Sequence, residues 1–149
     1  MSVEGGQLEG GISPAQDGAE WHILGHTYWN RAWCESTFAF ETLDPPGTFV
    51  PPHIHPTQDE FIAILEGELE VELDGKRQTA LAGSLVKMPR GIPHGYFNTS
   101  EQPTRCLFWV SPAGRLKELF DQLHEMTDPE EVVRVSAEHD VDFLPPPDA

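Results

Sequence analysis

Residues 51–60 read PPHIHPTQDE, and this stretch decides the prediction of the fold. His53 and His55 are two positions apart, and alternate side chains of a strand point to one face, so the two imidazoles can converge on one point. Glu60 is an odd number of residues beyond His55, which would place it on the opposite face of an unbroken strand. Pro56 and the polar residues 57–59 indicate a turn. A new strand that begins near Glu60 can therefore present its carboxylate to the same point.

A third imidazole comes from residues 89–98, PRGIPHGYFN. Pro89, Gly91 and Pro93 predict a tight and rigid approach that ends at His94, just before another strand. A single histidine is more often an ordinary surface or core residue than a metal ligand. The combination of the three with Glu60 predicts a metal site.

Two sets of positions resemble the two motifs of the cupin family. The first is Gly47, His53, His55, Glu60 and Gly67, and the second is Gly83, Pro89, Gly91, His94 and Asn98. All the intervals between them match those of the family. The resemblance covers residues 47–98 and implies a double-stranded β-helix, or jelly roll, with a metal inside the barrel. It also implies that His53, His55, Glu60 and His94 bind that metal. Asn98 is expected to form hydrogen bonds with the backbone of a turn and not to bind the metal.

The pattern of the chain agrees with an all-β fold. Short runs rich in β-branched and aromatic residues extend from Trp21 to about Val110, and Gly, Pro, Asp and Asn break them at close intervals. The clearest are FIAIL at 61–65, LEVEL at 69–73 and RCLFWV at 105–110. Residues 66–68 and the pair Asp74-Gly75 are expected to form turns between neighbouring strands.

One or two C-terminal helices are expected after the strands. Apolar residues then recur at intervals of three and four, namely Leu116, Leu119, Phe120, Leu123 and Met126, and the pair Ser111-Pro112 is a plausible helix start. A second helix is expected from Thr127 or Asp128 to about His139, with Pro129 in its first turn. We interpret both helices as a lid packed outside the sandwich or as a dimer contact.

The expected organisation is a flexible N-terminal lead, residues 1–20, or a strand added late, and one cupin domain, residues 21–149. Within that domain we expect a β core at 21–110 and a helical extension at 111–149. The formal net charge of −16 argues against binding to nucleic acid or to an anionic membrane. Without an export signal or a bilayer-length apolar segment, a cytoplasmic location is expected. Cys34 and Cys106 are expected to be two buried or neutral thiols.

Three imidazoles and one carboxylate suit one divalent transition metal, which can be Mn, Fe, Co, Ni, Cu or Zn. Glu60 is the candidate catalytic residue, because a carboxylate beside a metal can accept a proton from a bound hydroxyl. Apolar and aromatic residues are expected to face the barrel interior, and most of these serve packing. The candidate substrate contacts among them are Tyr96, Phe49, Phe108, Met88 and Phe40.

The core with its continuation SPAGRLKELF resembles the short bacterial cupins grouped as quercetin dioxygenase-like. That resemblance implies a dioxygenase that opens the ring of a flavonol or another enolisable aromatic small molecule, and it implies dioxygen as the second substrate. Two alternatives stay open, because the cupin fold carries many reactions. One is an oxygen-independent Lewis-acid enzyme, such as an isomerase, cyclase or dehydratase, and the other is a binding module without turnover. A homodimer is expected in each case.

Overall fold

A computed structural model describes residues 8–145 of the chain. In chain order the elements are β1 (Glu20–Ile23), β2 (His26–Cys34), β3 (Thr37–Asp44), β4 (Phe49–Ile54), β5 (Asp59–Glu66), β6 (Glu68–Leu73), β7 (Lys76–Leu81), β8 (Leu85–Met88), β9 (His94–Phe97), β10 (Thr104–Ser111), α1 (Leu116–Leu123), α2 (Pro129–Ala137) and β11 (Asp142–Phe143). The strands form two antiparallel sheets, ordered β1-β2-β3-β10-β5-β8 and β11-β4-β9-β6-β7. Apolar residues of both sheets share one core. The predicted all-β jelly roll with C-terminal helices is confirmed.

Strict alternation explains two neighbouring inner strands of the larger sheet, β10 and β5. Along β10, buried residues alternate with partly exposed ones over its whole length, so one face packs into the core and the other faces outward. Along β5, Glu60, Ile62 and Ile64 point inward in the same way. Glu60 is the register partner of Val110 on β10. The carboxylate is therefore carried on the core-facing side of an inner strand.

Of the two predicted turns, one joins strands of the same sheet and the other does not. Asp74 and Gly75 both have positive φ, 49° and 84°, as a two-residue hairpin turn requires, and they join the paired strands β6 and β7. Residues 66–68 instead carry the chain from β5 in the larger sheet to β6 in the smaller one. Turn residues in the sequence therefore identified the bend but not the change of sheet.

The predicted start of the first helix is wrong. Ser111 pairs with Asp59 as the last residue of β10, so its backbone is extended, and α1 begins only at Leu116. The start of the second helix agrees with the prediction. Pro129 is its first residue, and the Asp128 carboxylate accepts a hydrogen bond from the Glu130 amide at 3.1 Å, which satisfies one free donor of the first turn.

The predicted N-terminal lead, residues 1–20, and the predicted helical extension, residues 111–149, lie partly outside the described range, which leaves out residues 1–7 and 146–149. Residues 8–19 have no regular secondary structure, and the Arg31 guanidinium of β2 donates hydrogen bonds to the carbonyls of Ser13, Pro14 and Asp17. At the other end β11 pairs with β4, a strand that the sequence pattern missed. Helices α1 and α2 are both too short to cross a bilayer, and residues 8–145 contain no other helix that is long and apolar enough to do so.

Candidate metal centre

The four predicted ligand residues come together between the two sheets. One ligand atom of each of His53, His55, Glu60 and His94 lies within 4.8 Å of the others. His53 on β4 and His94 on β9 are register partners in the smaller sheet, and His55 follows the end of β4. Glu60 approaches from β5 of the larger sheet. All four side chains are buried, at 4% relative exposure or less.

Gly95 lets strand β4 approach β9 closely enough to place His53. A Cβ atom on Gly95 would lie 2.8 Å from the Pro52 nitrogen and 2.9 Å from the Val50 carbonyl oxygen, distances that real side chains do not reach. The register of β4 against β9 shifts between Val50 and His53, where two prolines interrupt the strand. This irregularity directs His53 toward His94, with ring centroids 4.4 Å apart.

Each of the three imidazoles is oriented by a hydrogen bond from its Nδ1 atom. His53 Nδ1 lies 2.9 Å from the Pro51 carbonyl oxygen, and His94 Nδ1 lies 3.2 Å from that of Ile92. His55 Nδ1 lies 2.9 Å from the side-chain oxygen of Gln58. These partners only accept, so each Nδ1 carries the proton and donates. A neutral ring then has a lone pair on Nε2, the atom that a metal needs.

The Nε2 atoms meet the carboxylate at short distances. Glu60 Oε1 lies 3.0 Å from His94 Nε2 and 3.3 Å from His55 Nε2. Lone pairs at these distances repel one another unless a proton or a cation lies between them. Zn²⁺ binds such atoms at about 2.0–2.2 Å, so two ligands of one ion lie at most about 4.4 Å apart. The cluster therefore fits a divalent transition metal after shifts of a few tenths of an ångström.

The pKa shifts of the cluster favour the protonation states that bind a cation. Burial, reinforced by the neighbouring His94 and His55, lowers the pKa of His53 to about 3. Burial alone would raise the pKa of Glu60, but the positive charge that His55 and His94 carry when protonated, together with the hydrogen bond that protonated His94 then donates, outweighs it and lowers that pKa to about 2. At neutral pH, His53 is therefore uncharged and Glu60 is ionised. These are the forms in which both side chains coordinate metals.

A cavity of about 90 Å³ adjoins the cluster. Of the predicted substrate contacts, Phe40, Phe49 and Tyr96 line it. Met88 and Phe108 lie in the core, at 1% and 0% relative exposure, and are not among the lining residues within the described range. Alternation in the strands correctly predicted that both point inward, but the barrel interior is divided between the cavity and solid packing.

The rest of the cavity wall comes largely from residues that the sequence did not link to the site. Helices α1 and α2 and the segment after them contribute Leu116, Leu119, Phe120, Leu123, Val132, Ser136, Val141 and Phe143. The helices therefore lie on the barrel as part of its wall, which agrees with the predicted lid. The amphipathic pattern of the two helices predicted that each has a buried face, but it did not indicate that this face covers a cavity.

Comparison with known proteins supports the fold and the motif. The sequence pattern of the cupin domain family matches residues 40–110. The polyketide synthase protein CurC of Streptomyces cyaneus is 34% identical over 67 residues, which cover 45% of this chain and 44% of that protein. Quercetin 2,3-dioxygenase of Bacillus subtilis is 40% identical over 50 residues, which cover 34% of this chain and 15% of that protein. The chain thus spans less than half the length of both relatives.

A third relative matches over more of its length. The tetracenomycin polyketide synthase protein TcmJ of Streptomyces glaucescens is 28% identical over 116 residues, which cover 78% of this chain and 68% of that protein. Among solved structures, KdgF from Halomonas sp. superposes with a TM-score of 0.64 at 21% identity, over 70% of this chain and 94% of that one. At this identity the structural likeness concerns the fold alone. Residues 40–110 of this chain therefore form a cupin domain, and the shared fold agrees with that match.

Proposed function

We propose that this chain is a metal-dependent dioxygenase that acts on a small enolisable aromatic compound. His53, His55, Glu60 and His94 would hold one divalent transition metal. The observation that carries the proposal is the position of this cluster beside an apolar cavity. Such an environment excludes water from a reactive intermediate and strengthens electrostatic interactions within the site.

The cavity wall favours a neutral substrate. Of the side chains that line it in the described part of the chain, none is Lys or Arg. A phosphate or a free carboxylate would be buried there without a cationic partner, apart from the metal, which carries a high desolvation cost. The overall charge of −16 also repels anions. We therefore favour an uncharged aromatic or enolic compound over a phosphorylated sugar or a sugar acid.

Glu60 is the proposed proton acceptor. Its Oε1 atom faces His55 and His94, so Oε2 is the oxygen that can take a proton from the substrate. A carboxylate beside a divalent cation is a weak base and can deprotonate only an acidified hydroxyl. A divalent metal at this site would supply a Lewis acid that lowers the pKa of a bound enol or phenol, and a redox-active metal would also permit chemistry with dioxygen.

Aromatic side chains would position the substrate. Phe40 and Tyr96 line the cavity from β3 and β9, and Phe49 lies at its edge with 55% of its surface exposed. Burial raises the pKa of Tyr96 well above its ordinary value, so its hydroxyl stays protonated and uncharged beside an apolar ligand. A flat aromatic ring can pack against these side chains.

The size of the cavity limits how the substrate binds. An engineered protein cavity of about 150 Å³ holds benzene, whereas this one has about 90 Å³. A flavonol cannot be fully enclosed in this conformation. A neighbouring surface groove of about 340 Å³ shares Leu24, Phe49, Pro51, Val132 and Phe143 with the cavity. We propose that the hydroxyl-bearing edge of the reacting ring enters the cavity and that the remainder lies in this apolar groove.

A second candidate is an oxygen-independent Lewis-acid reaction on an enolisable polyketide. The similarity to CurC and TcmJ, both named as polyketide synthase proteins, favours it. The same neutral cavity and the same proton acceptor would serve such a reaction. The two candidates differ in whether dioxygen is consumed.

Oxygen consumption tests the proposal. The protein is loaded separately with Fe²⁺, Ni²⁺, Co²⁺ or Mn²⁺ and mixed with a panel of flavonols and hydroxylated aromatic compounds at an oxygen electrode. At least one metal form should consume one dioxygen per substrate, and Glu60→Gln should lower the rate at least about 100-fold. Turnover that persists without oxygen would support the second candidate. Stable binding without turnover would identify a binding module.

The expected homodimer also remains a proposal. Leu24, Phe49 and Val133 are apolar, partly exposed and grouped around the groove, so either a substrate or a second subunit can cover them. Light scattering on the purified protein measures the mass in solution, and a value of one chain, 16.6 kDa, would contradict the dimer.

A further inference from the structure

Among residues 8–145, three polar side chains outside the four residues of the cluster line the cavity: His26, Tyr96 and Ser136. Two of them are satisfied by the protein itself. His26 Nδ1 lies 2.7 Å from Asp44 Oδ1, and His26 Nε2 lies 3.2 Å from the Phe49 carbonyl oxygen. The Tyr96 hydroxyl is not among the buried polar atoms of residues 8–145 that lack a hydrogen-bond partner. These two groups are therefore already fixed in the absence of a ligand.

Ser136 differs from the other two. It is 1% exposed, and its Oγ atom has no hydrogen-bond partner among residues 8–145. A serine inside a helix commonly bonds the carbonyl one turn earlier, here that of Val132, but this bond is absent. A buried hydroxyl without a partner destabilises the fold, since water satisfies the same group in the unfolded chain. Ser136 lines the cavity, so a ligand whose oxygen reached the Oγ atom would remove that defect.

We propose that Ser136 is a specificity-determining residue that binds a hydroxyl or carbonyl oxygen of the substrate. This inference rests on the proposed function in that it takes the same cavity as the substrate site. A serine hydroxyl can both donate and accept a hydrogen bond, so it suits a neutral oxygen substituent. The described cavity wall contains no Lys or Arg, which also favours an uncharged ligand. The preferred ligand therefore carries two oxygen substituents, one at the His/Glu cluster and one at Ser136 on α2.

A structural role for Ser136, or a water bound to it, would give different experimental results. If Ser136 has a purely structural role, its replacement changes stability but not the choice between ligands. If Ser136 holds an ordered water that no ligand contacts, its replacement changes the binding of all ligands equally. Only if Ser136 contacts the ligand directly will the change in affinity caused by its replacement depend on whether the ligand carries the second oxygen.

The test measures binding to the zinc-loaded protein, because Zn²⁺ has no redox chemistry and the probes stay intact. Calorimetry gives the dissociation constants of phenol and of 1,2-, 1,3- and 1,4-dihydroxybenzene, which differ from phenol by one hydroxyl group. At least one dihydroxybenzene should bind the unmodified protein about tenfold more tightly than phenol, the effect of one hydrogen bond. Ser136→Ala should abolish this difference.

The matched control is Ser36→Ala, at an exposed serine between β2 and β3 that is not part of the cavity wall, and it should keep the difference. Ser136→Ala should also keep or raise the melting temperature, by up to a few degrees, because it removes an unpaired buried hydroxyl. The inference is overturned if the preference persists in Ser136→Ala, if no dihydroxybenzene binds better than phenol, or if no probe binds. A preference that depends on Ser136 without oxygen uptake by any metal form would reject the dioxygenase and retain this inference.

Discussion

The ring of Phe120 on α1 stands perpendicular to the ring of Phe40 on β3, with centroids 4.9 Å apart and an interplanar angle of 89°. Both side chains line the cavity, and Phe120 also packs against Trp21, Tyr28 and Phe38. A hydrogen bond from Trp21 Nε1 to Asp121 Oδ1, 2.9 Å long, attaches the next residue of the helix to β1. Helix α1 is thus an integral part of the hydrophobic core as well as a wall of the site.

We expect Phe120→Ala to lower the free energy of unfolding by about 3–5 kcal/mol, because it removes a buried ring and leaves a cavity among four aromatic side chains. Urea denaturation of the metal-free protein measures this change. Lys117→Ala, on the exposed side of the same helix, should change the free energy by no more than about 0.5 kcal/mol. A loss below about 1 kcal/mol for Phe120→Ala would mean that α1 is not firmly packed on the barrel.

The metal centre gives a second prediction. His53→Ala and His94→Ala should each prevent stoichiometric metal binding, since each removes one of only four protein ligands. Elemental analysis of purified protein should find about one transition metal per chain in the unmodified protein and far less in both variants. His124→Ala, at a histidine outside the cluster, should retain the metal. Equal metal content in all four proteins would exclude this cluster as the binding site.

The sequence predicted the fold and the cluster because both leave local signals. The spacing from His53 to Glu60 and the approach to His94 are short-range patterns, and the alternation along β5 and β10 reports which face is buried. The position of Phe120 on the cavity is not a local property, because it depends on how α1 returns across the barrel. Ser111 was misread because Ser-Pro is compatible with a helix start, whereas strand pairing with Asp59 decides its conformation.

The two cysteines should differ strongly in reactivity. Hydrogen bonds from Ser36 lower the pKa of the Cys34 thiol, which is only partly buried. Burial raises the pKa of the Cys106 thiol. Alkylation requires the thiolate, so iodoacetamide should label Cys34 at a rate that increases with pH. Cys106 should react only after unfolding.

Mass spectrometry of the peptides after timed labelling measures both rates. Ser36→Ala should slow the labelling of Cys34 near neutral pH, because the loss of the hydrogen bond raises its pKa and reduces the thiolate fraction. Labelling of Cys106 in the folded protein as fast as that of Cys34 would show that β10 opens readily to solvent.

Gln58 carries the last prediction, and nothing in the sequence distinguished it from the other polar residues of the turn before Glu60. Its Oε1 atom accepts the hydrogen bond from His55 Nδ1, and its Nε2 atom donates to the carbonyl oxygens of Pro112 and Ala113 at 3.0 and 2.7 Å. It therefore links the His55 ring to the segment between β10 and α1. Gln58→Ala should weaken metal binding about 10–100-fold, the usual cost of losing a residue that orients a ligand.

Competition with a chelator of known affinity measures the change in metal binding. Gln78→Ala, at an exposed position on β7, is the matched control and should bind metal as the unmodified protein does. If Gln58→Ala also keeps full affinity, the bond to His55 does not orient that ring for metal binding. If affinity falls while the thermal stability of the metal-free protein changes little, the role of Gln58 is to position His55 and not to stabilise the barrel.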